Sequence, residues 1–147
     1  MAFTALDVKK LREQTGCGMM DCKKALTESD GDFDKAVEYL REKGLAAAAK
    51  KAGRIAAEGM VYAAADVANK VGVVIEVNAE TDFVAKNDSF QTFVKEVADV
   101  VMAQNPADVE ALMACKLGEQ TVEAALQEKI LVIGENIKVR RFARFEG

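Results

Sequence analysis

The chain has 147 residues, half of them hydrophobic and 30% charged, enough for one ordinary domain or a small one joined to part of another. Its 20 Lys and Arg against 24 Asp and Glu give a formal charge of −4, which argues against a main task of coating nucleic acid or an anionic membrane. Histidine is absent, so Ser-His-Asp and Cys-His catalysis, His-ligated metals and histidine acid–base chemistry are excluded.

The first 44 residues predict three short helices. Thr4 is a helix N-cap with Asp7 in the capping-box position, and Ala5, Val8, Leu11 and Thr15 run down one face. Gly16-Cys17-Gly18 breaks that helix. A second helix spans about Met19 to Ser29 and stops at Asp30-Gly31. A third starts from Asp32, with Phe33, Ala36, Val37 and Leu40 as an apolar stripe, and Gly44 is expected to end it. Residues 45–58, LAAAAKKAGRIAAE, are alanine-rich and basic and predict a helical linker.

The composition then shifts. β-branched runs around Asn69-Lys70 predict a hairpin with strands near 59–66 and 71–79. Asp88 or Ser89 is expected to cap a long helix with Phe90, Phe93, Val94, Val97, Val100 and Val101 on its buried side. Asn105-Pro106 stops it, with Pro106 suited to the first position of another helix. Residues 107–131 predict one or two helices broken near Leu117-Gly118. Gly134-Glu135-Asn136 is a turn. IKVRRFARFE then alternates as a strand, with Ile137, Val139, Arg141, Ala143 and Phe145 on one side. The fold class is α+β, an antiparallel sheet covered on one face by helices, from residue 59 to 147.

No credible active site appears, and the chain is not expected to be an enzyme. Cys17, Cys22 and Cys115 are odd in number and form no CxxC, so neither a disulfide framework nor a four-thiolate zinc site is encoded. Free thiols suit a reducing cytosol, the expected location. No signal peptide and no run of 18 apolar residues occurs, so no membrane association is expected. No glycine-rich phosphate loop is present, and neither a cofactor nor a metal is expected.

Four clusters are candidates for partner contact. Met19 and Met20 point about 100° apart on a helix. Met19 shares a stripe with Cys22 and Leu26 that suits the core, and Met20 lies beside Lys23, Lys24 and Thr27. The pair is either a flexible core filler, the simpler reading, or a contact patch. Thr81-Asp82-Phe83-Val84 joins the hairpin to the long helix. Asp82 can cap a turn, and Phe83 is either core, again the simpler reading, or a wedge. Arg140, Arg141 and Arg144 interleave with Phe142 and Phe145, as on a nucleic-acid surface, but a solvated strand face with Glu135 and Glu146 as salt partners is the plainer account. Lys50, Lys51 and Arg54 cluster within one turn, where a solvated face is the default.

Four ordered motifs carry a resemblance. LREQTGCGMMDCKKAL at 11–26, AAAAKKAG at 46–53, EVNAETDFVAKND at 76–88 and IGENIKVRRF at 133–142 together resemble bacterial elongation factor Ts. The resemblance implies a guanine-nucleotide exchange factor for elongation factor Tu that disturbs the Mg²⁺ and nucleotide site. It implies an N-terminal domain like a ubiquitin-associated domain at 1–44, then an α+β core. It implies that Thr81, Asp82, Phe83 and Val84 intrude near the magnesium site of the GTPase. It also implies that Met19, Met20, Lys23 and Lys51 contact the GTPase from the N-terminal domain. TDFV and IGEN lie close together here, as in the first half of a long family member, so residues 59–147 are expected to be the first of two core halves. The other reading is a ubiquitin-associated-like module binding protein or RNA.

Overall fold

Thr4 starts the first helix as its spacing predicts. Its hydroxyl accepts from the Asp7 N–H at 3.3 Å, and the Asp7 carboxylate accepts from the Thr4 N–H at 3.0 Å. In the computed structural model, which describes residues 3–147, this cap opens α1 (Ala5–Thr15). α2 (Met19–Glu28) and α3 (Phe33–Lys51) follow. Gly16, at φ +75°, closes α1 by donating its N–H to the Arg12 carbonyl. Asp32 caps α3 through the Lys35 N–H, as expected.

The chain divides into two units. The first is residues Met1–Ala52 with Gln127–Gly134. Its core gathers Val8 and Leu11 of α1, Cys22, Ala25 and Leu26 of α2, and Ala36 and Leu40 of α3, with Phe33, Val37 and Leu131 packed against them. Gly44 does not end the third helix, which runs on to Lys51. It is buried, and a Cβ there would stand 3.2 Å from the Gln127 carbonyl oxygen, so this glycine serves a close approach of backbones rather than a stop.

The second unit is Gly53–Leu126 with Glu135–Gly147. β1 (Glu58–Asp66) and β2 (Val71–Ala79) form the expected hairpin, paired from Glu58↔Ala79 to Asp66↔Val71. The Asp66 carboxylate closes its turn by accepting from the Asn69 N–H and side-chain amide. Those two bonds, side chain first, hold the Asp66 carboxyl below its usual range. β5 (Lys138–Glu146) pairs antiparallel on the other side of β2, giving the order β1-β2-β5. α5 (Asp88–Gln104) buries Phe90, Phe93, Val94, Val97, Val100 and Val101 as its pattern predicts, and packs on β1 and β2. Each such side chain contributes roughly 1.5–3 kcal/mol of transfer free energy. Val71, Val73, Ile75 and Val77 line the buried face of the sheet, and Val61, Val74 and Phe145 are exposed. The arrangement is α+β.

Several boundaries fall elsewhere than expected. Asn87, one residue ahead of the expected caps, takes the α5 cap by accepting from the Phe90 N–H. Asn105 ends α5 in the left-handed region at φ +48°. Pro106 does not begin the next helix. Asp108 caps α6 (Val109–Ala114) through the Ala111 N–H at 2.8 Å, which sets the start three residues later. A small hairpin, β3 (Lys116–Leu117) with β4 (Gln120–Thr121), makes the break near Gly118, and α7 (Val122–Ile133) follows. β5 does not alternate simply. Glu76 faces Arg141 and Val77 faces Val139, so Arg140 is an extra residue that bulges the strand. Beyond it the parity flips. Phe142 and Arg144 lie opposite buried Ile75 and Val73, and Arg141 and Phe145 turn outward.

Candidate functional site

The segment 81–84 forms a single helical turn, α4 (Asp82–Ala85). Thr81 rather than Asp82 is its N-cap, its hydroxyl accepting from the Val84 N–H at 3.3 Å. Asp82 is exposed, with Lys86 Nζ 3.9 Å from its carboxylate. Phe83 is 84% exposed and is therefore not a core residue. The reason is positional. α5 already supplies Phe90 and Phe93 to the core, and the side of this turn nearer the sheet is given by Val84 and Ala85, which leaves Phe83 in solvent. Val84 is half-buried.

Beneath this turn lies a polar network built from residues far apart along the chain. Glu135 Oε1 accepts from the Glu80 and Thr81 N–H groups, each at 3.1 Å, and Oε2 accepts from the Thr81 hydroxyl at 2.7 Å. In return, Glu80 Oε2 accepts from the Asn136 N–H at 2.6 Å and lies 3.7 Å from the Arg54 guanidinium. The Asn136 side chain donates to the Arg54 carbonyl oxygen at 2.8 Å. The ends of β2 and the start of β5 are thus tied by two crossed carboxylates. Glu135 is engaged here and not with the arginines of β5. Its partners lie more than fifty residues away in sequence, so no local pattern reveals them.

The arginines of β5 are turned to structural use. Arg141 Nε donates to Glu76 Oε1 at 2.8 Å, and Arg140 lies 4.0 Å from the same carboxylate. Arg144 donates from Nε and Nη2 to the Met102 carbonyl oxygen near the end of α5, and to Glu146. A guanidinium suits that end, where helix carbonyls lack partners.

In the first unit, Met19 does not join the stripe of Cys22 and Leu26. It is 57% exposed and Met20 73%. Both begin α2, where Cβ atoms lean toward the helix N-terminus, so Met19 points past the end of the helix instead of onto its neighbours. Lys23 is exposed, and Lys51, the last residue of α3, is half-buried. Burial raises the thiol pKa of Cys17 and Cys22, which keeps them as packing groups rather than nucleophiles. Among the described residues, no group of three or more His, Cys, Asp or Glu is arranged to hold a metal ion, and no helix is long and apolar enough to cross a membrane.

Residues 80–147, which include Glu80, Glu135 and the exposed Phe83, match the family model described as Elongation factor TS. The whole chain is similar to proteins named Elongation factor Ts. It is 58% identical to that of Trichlorobacter lovleyi, over 99% of this chain and 48% of the relative. It is 55% identical to that of Alkalilimnicola ehrlichii, over 99% of this chain and 50% of the relative. It is 58% identical to that of Cereibacter sphaeroides, over all of this chain and 48% of the relative. The chain is thus similar to elongation factor Ts proteins along nearly its whole length. It spans about half the length of the curated relatives it matches.

Proposed function

We propose that the protein acts in translation elongation as a guanine-nucleotide exchange factor for elongation factor Tu, promoting GDP release by disturbing the Mg²⁺ and nucleotide site. The observation that carries this is the exposure of Phe83 on a turn held by polar contacts at its base. Tight GDP binding by such GTPases rests on phosphate-loop amides and a bridging Mg²⁺. Because coupling is reciprocal, a factor that binds the nucleotide-free GTPase better than the GDP-bound one must weaken GDP. An apolar wedge does this by filling a pocket that opens only in the distorted state. Burying one phenylalanine is worth about 1.5–3 kcal/mol, which is the size of a typical coupling free energy.

On this reading Thr81, Asp82, Phe83 and Val84 form the insert toward the magnesium site. Met19, Met20 and Lys23, with Lys51, form a second contact patch on the GTPase. The protein itself binds no nucleotide, does no covalent chemistry and works in the cytoplasm. Residues 1–44 are read as a module like a ubiquitin-associated domain, 45–58 as a tether that is helical only as far as Lys51, and 59–147 as the first of two core halves. An apolar cluster whose helical members all precede Gly44, apart from Leu131, supports the first of these. The test is release of labelled GDP from elongation factor Tu with and without the protein. Release no faster than the spontaneous rate overturns the proposal.

A further inference from the structure

We propose that Glu135 is the positioning residue that aims Phe83, an assignment that rests on the exchange reading above. A side chain exposed to this degree cannot be oriented by packing. α4 buries none of its four residues, and a lone helical turn has no stability of its own. Half-buried Val84 and Ala85 seat the turn on the sheet, and its cap fixes where the turn starts and how it is aimed. The Thr81 hydroxyl accepts from the Val84 N–H, and its single proton goes to Glu135 Oε2. The other Glu135 oxygen gathers the two N–H groups that lead into the turn, those of Glu80 and Thr81. Three of the donors that fix where β2 stops and α4 starts therefore end on one carboxylate. Such charge-assisted bonds are stronger than neutral ones. Glu80, engaged with Asn136 and Arg54, holds the backbone beside Glu135 in place. The wedge is thus carried on a mount supplied by the loop that leads into β5.

The experiment compares wild type, Glu135→Ala, Glu135→Gln, Thr81→Val, Phe83→Ala and the Phe83→Ala, Glu135→Ala double variant. GDP release from elongation factor Tu is followed against factor concentration. Backbone amide hydrogen exchange is read on the same samples. Glu135→Ala is expected to lower the maximal stimulated rate on the order of tenfold or more, as misplacement of a positioned group does, with a smaller change in the half-saturating concentration. Glu135→Gln, which keeps one acceptor oxygen, is expected to recover part of the rate. Adding Glu135→Ala to Phe83→Ala is expected to cost nothing further. The Val84 amide is expected to lose protection in Glu135→Ala and Thr81→Val while the amides of Val73 to Val77 keep theirs. Thr81→Val carries the test should Glu135→Ala fail to fold. An unchanged Val84 amide, or an equal loss of rate with and without Phe83, overturns the positioning role. Lost Val84 protection in Glu135→Ala, with no stimulated release even by wild type, overturns the exchange reading and leaves the mount standing.

Discussion

Gly59 sits across the β1–β2 hairpin from Asn78, so close that a Cβ on it would stand 2.7 Å from the Asn78 Cα. The Asn78 amide draws the strands together by donating to the Glu58 carbonyl oxygen at 3.2 Å. Gly59 also holds φ at +139°, which side chains rarely adopt. Gly59→Ala is expected to destabilise the fold by about 2–5 kcal/mol, from backbone strain and overpacking together. Gly72→Ala is the control. It has open space and no positive φ, and is expected to be neutral or stabilising by up to about 1 kcal/mol. Denaturant unfolding of both variants checks this.

Phe83→Ala is expected to slow factor-stimulated GDP release while shifting unfolding free energy by less than about 0.5 kcal/mol, the range of ordinary surface changes. A buried phenylalanine would instead cost about 3–5 kcal/mol. Asp82→Ala is expected to change stability even less, because Thr81 holds the cap. Both readings come from one sample, and unchanged release would remove Phe83 from the mechanism.

Met19→Ala and Met20→Ala are expected to leave the melting temperature nearly unchanged, since both side chains lie mostly in solvent. Each is expected to weaken binding to elongation factor Tu, measured by titration. Leu26→Ala, at a fully buried position of the same helix, is the contrast and is expected to cost about 2–5 kcal/mol of stability. A thermal loss from Met19→Ala comparable to that of Leu26→Ala would return Met19 to the core.

Acid stability gives a fourth test. The Asn78 amide and then the Arg141 guanidinium hold the Glu76 carboxyl below its ordinary value of 4.5. A lowered native pKa means that the unfolded chain binds the proton first as pH falls. Glu76 therefore stabilises the fold fully above about pH 4.5, and that contribution is lost as pH drops through the lower native value. Glu76→Gln is expected to flatten the stability profile below pH 4.5 and leave its slope near neutrality unchanged. Asp66, also held low, keeps part of the acid slope in that variant. An unaltered acid limb would show that Glu76 titrates alike in both states.

What could be read from sequence followed from local periodicity. The hairpin, the six apolar positions of α5 and the Thr4 cap all depend on neighbours within a turn or a strand, and all fall where expected. The failures depend on partners far along the chain or on direction at an element's end. Gly44 looked like a stop because its partner, Gln127, is visible only in three dimensions. The simple alternation expected of β5 fails because a bulge is a property of pairing with Glu76 and Val77. Met19 was placed inward by a helical wheel, which ignores the backward lean of side chains at a first turn. For Phe83 the residues alone favour the core, and its exposure follows from where a single turn sits between the hairpin and α5. Glu135 was visible as a residue, but its purpose was not.

The bulge at Arg140 has a consequence for how this sheet meets other chains. β5 is an outer strand, and outer strands offer unpaired amides and carbonyls to any passing β-segment. An extra residue interrupts that regular row and increases the local twist. Lys138, Arg140 and Arg141 crowd the same stretch with positive charge. The irregularity that sends Phe142 inward thus also spoils the strand as a template for edge-to-edge aggregation. Removing Arg140 would straighten the ladder and leave a flatter, stickier margin in its place.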